Sequence, residues 1–153
     1  MKASEKLKSL NITLSDAPKP VGAYVAFKKI GKIVYVSGQL PIGSDGSIKK
    51  GKIGLDLTLE DGQKAAYLCA LNILSQIKES CDGNIDKVKN CVKITGYVNS
   101  VDGFKDQPKV INPASELLKE IFGESGKHTR AAVSVNSLPL GAPVEIDAIF
   151  EII

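Results

Sequence analysis

Arg130 carries a planar guanidinium, whose fork matches a carboxylate through two parallel charge-assisted hydrogen bonds, and it stands at the entry to the β-branched run that follows. The bland alternative is a surface ion pair at a strand entry. Further on, Glu145 and Asp147 fall on one side of a predicted strand, with Val144 and Ile146 on the other. A carboxylate beside an electrophilic carbon can hold an attacking water and draw off its proton, a contribution of about 100- to 10,000-fold. Two acids on a solvated face are the alternative. Tyr24 and Ser37 add hydroxyls, Tyr24 equally well read as an interface or core aromatic and Ser37 set among glycine-punctuated residues where backbone can approach a ligand. Ser37 lacks a G-x-S-x-G setting, and the single histidine, His128, gives little scope for a triad. His128 precedes Arg130 by two positions, near enough to tune its electrostatics around neutral pH, or else simply exposed.

These residues need a scaffold, and the patterning supplies one. Pro18 and Pro20 mark an extended entry, so residues 1–20 read as an extended lead-in. Tyr24–Phe27 and Ile33–Val36 read as a hairpin across KKIGK, ending in a turn at Ser37–Pro41. Residues 43–54, rich in glycine and lysine, read as a loop with room for a short strand around Ile48. Thr58 is placed to cap a helix whose apolar positions Ala66, Cys69 or Ala70, Ile73 and Ile77 recur at helical spacing, joined by Leu74 on the same side, with Gly83 as its stop.

Val88, Val92, Ile94 and Val98 share one parity, which predicts a half-buried strand with all four toward the core. A second helix ends at Gly123 with Leu117, Leu118, Ile121 and Phe122 as its apolar stripe. Either Asp106 caps a long helix kinked at Pro113, or Asn112 caps a shorter one. Ala131–Val135 and Val144–Ile152 complete the order ββ, α, β, α, ββ. That order predicts an α+β fold, a mixed sheet with two helices on one face. If the other face carries apolar side chains, oligomerisation covers it.

A chain of 153 residues with 43% hydrophobic and 24% charged residues suits one domain, 1–153, with about two-thirds of its surface buried. The net charge of +3 and the absence of tryptophan argue against a nucleic acid partner. Cys69, Cys81 and Cys91 are odd in number and form no metal-ligand spacing, so neither a disulfide framework nor a metal site is expected, and the thiols read as buried hydrophobes. No leader and no window of about 18 apolar residues is found, which points to a soluble, cytoplasmic protein without a membrane partner.

Three segments carry a resemblance: GAYVAFKKIGKIVYVSGQLP at 22–41, the helical Ala70-Leu71-Asn72-Ile73, and TRAAVSVNSLPLGAPVEIDAI at 129–149. They resemble the RidA family, also called YjgF or L-PSP-like, with its GPY-type strand, SGQ-P turn and R-x-x-V…LP…VEIEA ending. The resemblance implies a chorismate-mutase-like fold assembled as a homotrimer with intersubunit clefts. It also implies hydrolysis of reactive 2-iminoacids, or their enamine tautomers, to 2-ketoacids and ammonia without metal or organic cofactor. By the same resemblance Arg130 and Glu145 are the catalytic pair, and Tyr24, Ser37, Asn112, Arg130 and Ala132 contact the ligand.

Two departures stand out. Pro113 follows Asn112, and Ala132 stands where deaminating members commonly have cysteine, as in a longer, divergent branch. They keep open a noncatalytic trimer that binds small carboxylates or acts as a chaperone-like protein. An L-PSP-type endoribonuclease is the third reading.

Overall fold

The structure, a computed structural model, describes residues 1–153. Eight elements carry the fold: α1 (Ala3–Ser9), β1 (Phe27–Ile30), β2 (Ile33–Gln39), α2 (Leu59–Ser80), β3 (Val88–Asn99), α3 (Gln107–Phe122), β4 (Thr129–Val135) and β5 (Val144–Ile152). The five strands form one sheet in the order β1-β2-β5-β3-β4, antiparallel throughout except for the parallel β3–β4 pair. This is the expected α+β architecture with a mixed sheet, and it has three helices rather than two.

The additional helix corrects the reading of residues 1–20 as extended. A seven-residue helix is marginal by itself, so its sequence signal is weak. Here tertiary contacts hold it: the Ser4 backbone N–H and hydroxyl both donate to Asp86 (2.9 and 2.7 Å), and Leu7 is buried in the core.

The hairpin sits later than its aromatic content suggested. Ile30 pairs with Ile33 across a two-residue loop, so Lys28 and Lys29 are strand rather than turn, and Gly31 takes the positive φ of 59° that the loop requires. Likewise Ser37–Gly38 is not a terminating turn. Val36 pairs with Ala148 and Gln39 with Ile146, so β2 continues through a bulge at Ser37–Gly38. No strand forms around Ile48.

Helix α2 begins as expected, with the Asp61 N–H donating to Thr58 Oγ1 and the Thr58 N–H donating back to Asp61 Oδ2 (3.1 and 2.9 Å). Its buried face, including Ala66, Cys69, Ile73 and Ile77, packs on the sheet and on α3. On β3, bulges at Lys89 and Val92 break the uniform parity. Cys91 therefore faces the core in place of Val92, which is exposed, while Ile94 and Val98 are fully buried as expected. All three cysteines are buried and free, and burial pushes the Cys91 thiol up to about 12.

Of the two starts weighed for α3, the longer holds: the helix runs from Gln107 through Pro113. Pro113 has no N–H for the Lys109 carbonyl. The Gln63 side chain of α2 donates to that carbonyl instead, at 3.0 Å. No helix is long and apolar enough to cross a membrane.

Candidate functional site

The pleat sorts the chemistry-bearing residues onto two faces. Arg130 pairs with Ile94 of β3, and Glu145 pairs with Tyr97. Between Ile94 and Tyr97 the ladder has no bulge, and three positions apart on a strand means opposite sides. Arg130 thus faces the helices, and Glu145 faces away from them.

On the helix side, Gly96 provides a flat spot against which Ile111 rests; a Cβ there would lie 2.5 Å from Ile111 Cδ1. The close approach of α3 brings its next residue, Asn112, to Arg130. Arg130 Nη1 donates to Asn112 Oδ1 at 2.9 Å and to Ser115 Oγ at 3.1 Å. Ser115 Oγ also lies 2.9 Å from His128 Nε2, and His128 Nδ1 lies 2.7 Å from the Gly126 carbonyl. Gly126 is buried under α3, where a Cβ would collide with the Leu118 carbonyl, and so the turn into β4 can tuck close enough for His128 to reach Ser115. These residues line an open cavity of about 340 Å³ with Glu116, Lys119 and Lys127, and no hydrophobic side chain contributes. Arg130 is the chain's one arginine.

On the far side, a groove of about 730 Å³ holds Tyr24, Ser37, Glu145 and Asp147 together with Lys28 and Tyr35. The Ser37 hydroxyl donates to the Val25 carbonyl at 2.7 Å, and its backbone N–H to the Ala26 carbonyl at 2.8 Å. Both bonds tie the entry segment to the bulge. Gly38 makes room for Glu145, whose carboxylate occupies the space a Cβ would take. Burial, and then the neighbouring Asp147 charge, raise the Glu145 carboxyl above its usual range. Asp147 accepts from the Tyr97 hydroxyl at 3.0 Å, and burial followed by this bond pushes the Tyr97 phenol up.

Buried amides of α2 hold the segments that carry this groove. Asn72 Nδ2 donates to the Leu40 and Ile42 carbonyls (2.9 and 3.0 Å), and Gln76 Nε2 to the Pro18 carbonyl (2.6 Å). Their sequence signal was present as polar residues on an apolar helical face. Ser115 was missed as well, although it lies three positions from Asn112 on one face of α3.

The structure therefore gathers Arg130 with Asn112, and Tyr24 with Ser37 and Glu145, without joining the two sets in one chain. Ala132 reaches neither cavity through its side chain, which packs against the core. Exposed Tyr35 and Val133 and half-buried Ile149 lie on the face away from the helices.

Comparison with known proteins gives a consistent result. Residues 4–150 match the family model described as "YjgF/chorismate_mutase-like, putative endoribonuclease". The chain is 41% identical over 152 residues to protein TCP17 of Trypanosoma cruzi, covering 99% of this chain and 94% of that protein. It is similar to the crystal structure of protein Atu1372 from Agrobacterium tumefaciens, of unknown function, with a TM-score of 0.91, 44% identity, and coverage of 99% of this chain and 92% of that one. A more distant relative, 26% identical over 133 residues and covering 87% of this chain and 88% of its own, is the 2-iminobutanoate/2-iminopropanoate deaminase of Dermatophagoides farinae.

Proposed function

Since this chain belongs to the RidA/YjgF family, we propose that it hydrolyses 2-iminoacids, or their enamine tautomers, to 2-ketoacids and ammonia. The single observation that carries the proposal is the division of the site. A guanidinium with free N–H groups waits in one cavity, and a half-buried carboxyl of raised proton affinity in another.

In this reading three copies assemble so that Arg130 and Asn112 of one subunit meet Tyr24, Ser37 and Glu145 of the next. The exposed Tyr35 and Val133 on the uncovered face support such an assembly, because burying them removes apolar surface from water. Arg130 holds the substrate carboxylate. Glu145, ionised, accepts a hydrogen bond from water and takes its proton as the oxygen adds to the C=N carbon. The substrate reacts as its iminium, C=NH2+, so the π pair of that bond moves onto nitrogen and leaves a neutral amine. Glu145 then gives that proton to the amine nitrogen, the C–N bond breaks with its electron pair leaving on ammonia, and Glu145 takes the remaining hydroxyl proton as the C=O forms. The atoms balance as iminium plus water giving ketoacid plus ammonium, Glu145 passing its last proton to the departing ammonia and ending ionised as it began.

The test is to generate 2-aminoacrylate or 2-iminobutanoate with a dehydratase and follow ketoacid release. Faster release with the protein is expected; no acceleration across a range of imines counts against the proposal.

A second reading, a carboxylate-binding trimer without turnover, draws on the completeness of the Arg130 cavity within one chain. Ketoacid binding that depends on Arg130 in a protein inert toward every imine would favour it.

A further inference from the structure

We propose that Ser115 and His128 are positioning residues that decide which edge of the Arg130 guanidinium meets the ligand. The inference rests on the reading of Arg130 as the carboxylate site, and it follows from counting protons. A carbonyl oxygen only accepts, so the 2.7 Å contact to the Gly126 carbonyl requires His128 Nδ1 to carry the proton. In the neutral imidazole Nε2 is then bare, and it accepts a hydrogen bond from the Ser115 hydroxyl across 2.9 Å. With its proton so directed, Ser115 Oγ presents lone pairs to Arg130 Nη1 at 3.1 Å. Asn112 Oδ1 accepts the other Nη1 hydrogen at 2.9 Å.

Both hydrogens of Nη1 are thereby used. The guanidinium has five N–H bonds, and those left are on Nε and Nη2, which form the side-on edge of the fork. A carboxylate is then met bidentately from that edge alone. The order of the relay runs Arg130 to Ser115 to His128 to the Gly126 carbonyl, every donor facing an acceptor. The ionisable neighbours in this cavity are Glu116 and Lys119 of α3 and Lys127 of the preceding turn, and none of them replaces a link. Lys127 is engaged with Glu124 at 2.8 Å.

The first test uses the unmodified full-length protein. With one histidine in the chain, nitrogen-15 and carbon-13 spectra of His128 at about pH 8, where an ordinary imidazole is neutral, report its tautomer without ambiguity. The relay requires the Nδ1–H form. An Nε2–H form reverses the direction of the Ser115 bond and overturns the proposal.

The second test titrates 2-oxobutanoate by calorimetry into Ser115→Ala, Ser115→Thr, His128→Phe, Arg130→Ala and the Ser115→Ala/His128→Phe double variant. Loss of one charge-assisted anchor should weaken binding about tenfold in Ser115→Ala. Threonine, which keeps the hydroxyl, should remain within about twofold of the parent. Links in series predict that the double variant binds about as well as the weaker single one rather than showing the product of two losses. If Arg130→Ala abolishes binding while Ser115→Ala leaves it unchanged, the relay is wrong and the carboxylate site stands. If Arg130→Ala itself leaves affinity intact, both are wrong.

Discussion

Arg130 and Glu145 point to opposite faces of one sheet, a consequence of pairing with Ile94 and Tyr97 on an uninterrupted stretch of β3. No rotamer change brings two side chains through a packed sheet, so any single site that uses both residues must draw them from different copies of the chain.

Mixed oligomers test that requirement. Arg130→Ala and Glu145→Gln should each lack deaminase activity alone, yet unfolding and refolding them together should restore some clefts. In a cyclic trimer mixed one to one, roughly a quarter of the clefts receive both intact residues. Ketoacid release near that fraction of the parent's is expected, and no recovery would mean that the clefts are not shared.

Glu145→Gln should also stabilise the fold at neutral pH. The folded-state pKa lies above its ordinary value of 4.5 because burial, and secondarily Asp147, disfavour the anion. The ionised group therefore works against folding above the raised pKa, and the effect disappears below the unfolded pKa. Thermal unfolding should show the variant melting higher than the parent at pH 8 and together with it at pH 4; equal melting at both would contradict the assignment.

Gly38→Ala separates the position of Glu145 from its chemistry. The added Cβ claims the space of the Glu145 carboxylate, which is the movable end of a side chain, so the fold should survive while the carboxyl shifts. A fall in kcat of about tenfold or more, with KM little altered, is expected from a general base moved out of reach. Unchanged kcat would remove Glu145 from the reaction.

The start of α2 gives a prediction independent of catalysis. Thr58→Ala should cost about 1 kcal/mol as a lost N-cap, read as a lower midpoint in urea. Asp61 is held down at about 2 by Lys49 first and then by the Thr58 backbone. Its contribution is present above the unfolded value of 3.8 and fades as pH falls through 2. Asp61→Asn should thus destabilise the protein at pH 7, with the difference from the parent shrinking as pH falls from about 4 and closing only below pH 2.

The sequence was legible where a rule acts over neighbouring residues. Thr58 and Asp61 announce the α2 cap because a capping box spans four consecutive positions. The alternation from Val144 to Ile152 announces which side of β5 is buried, and the structure keeps that alternation without a break. On β3 the same rule fails at Val92, since a bulge is a property of two paired strands and leaves no mark on one of them. For α1, seven residues carry too little helical preference to stand out, and Asp86, which anchors them, is remote in the chain.

The candidate site divides along the same line. Side-chain chemistry and local spacing, aided by resemblance, sufficed to single out Arg130, Glu145, Tyr24, Ser37 and Asn112 and to place them in an α+β fold with a mixed sheet. Tertiary structure alone decided that Arg130 keeps company with Ser115 and His128, and that Glu145 lies over Gly38 on the other side. Strand register is the physical reason. A shift of one residue transfers a side chain to the opposite face, and register depends on bulges and on how closely α3 approaches Gly96, neither of which is encoded near the residues whose fate it settles.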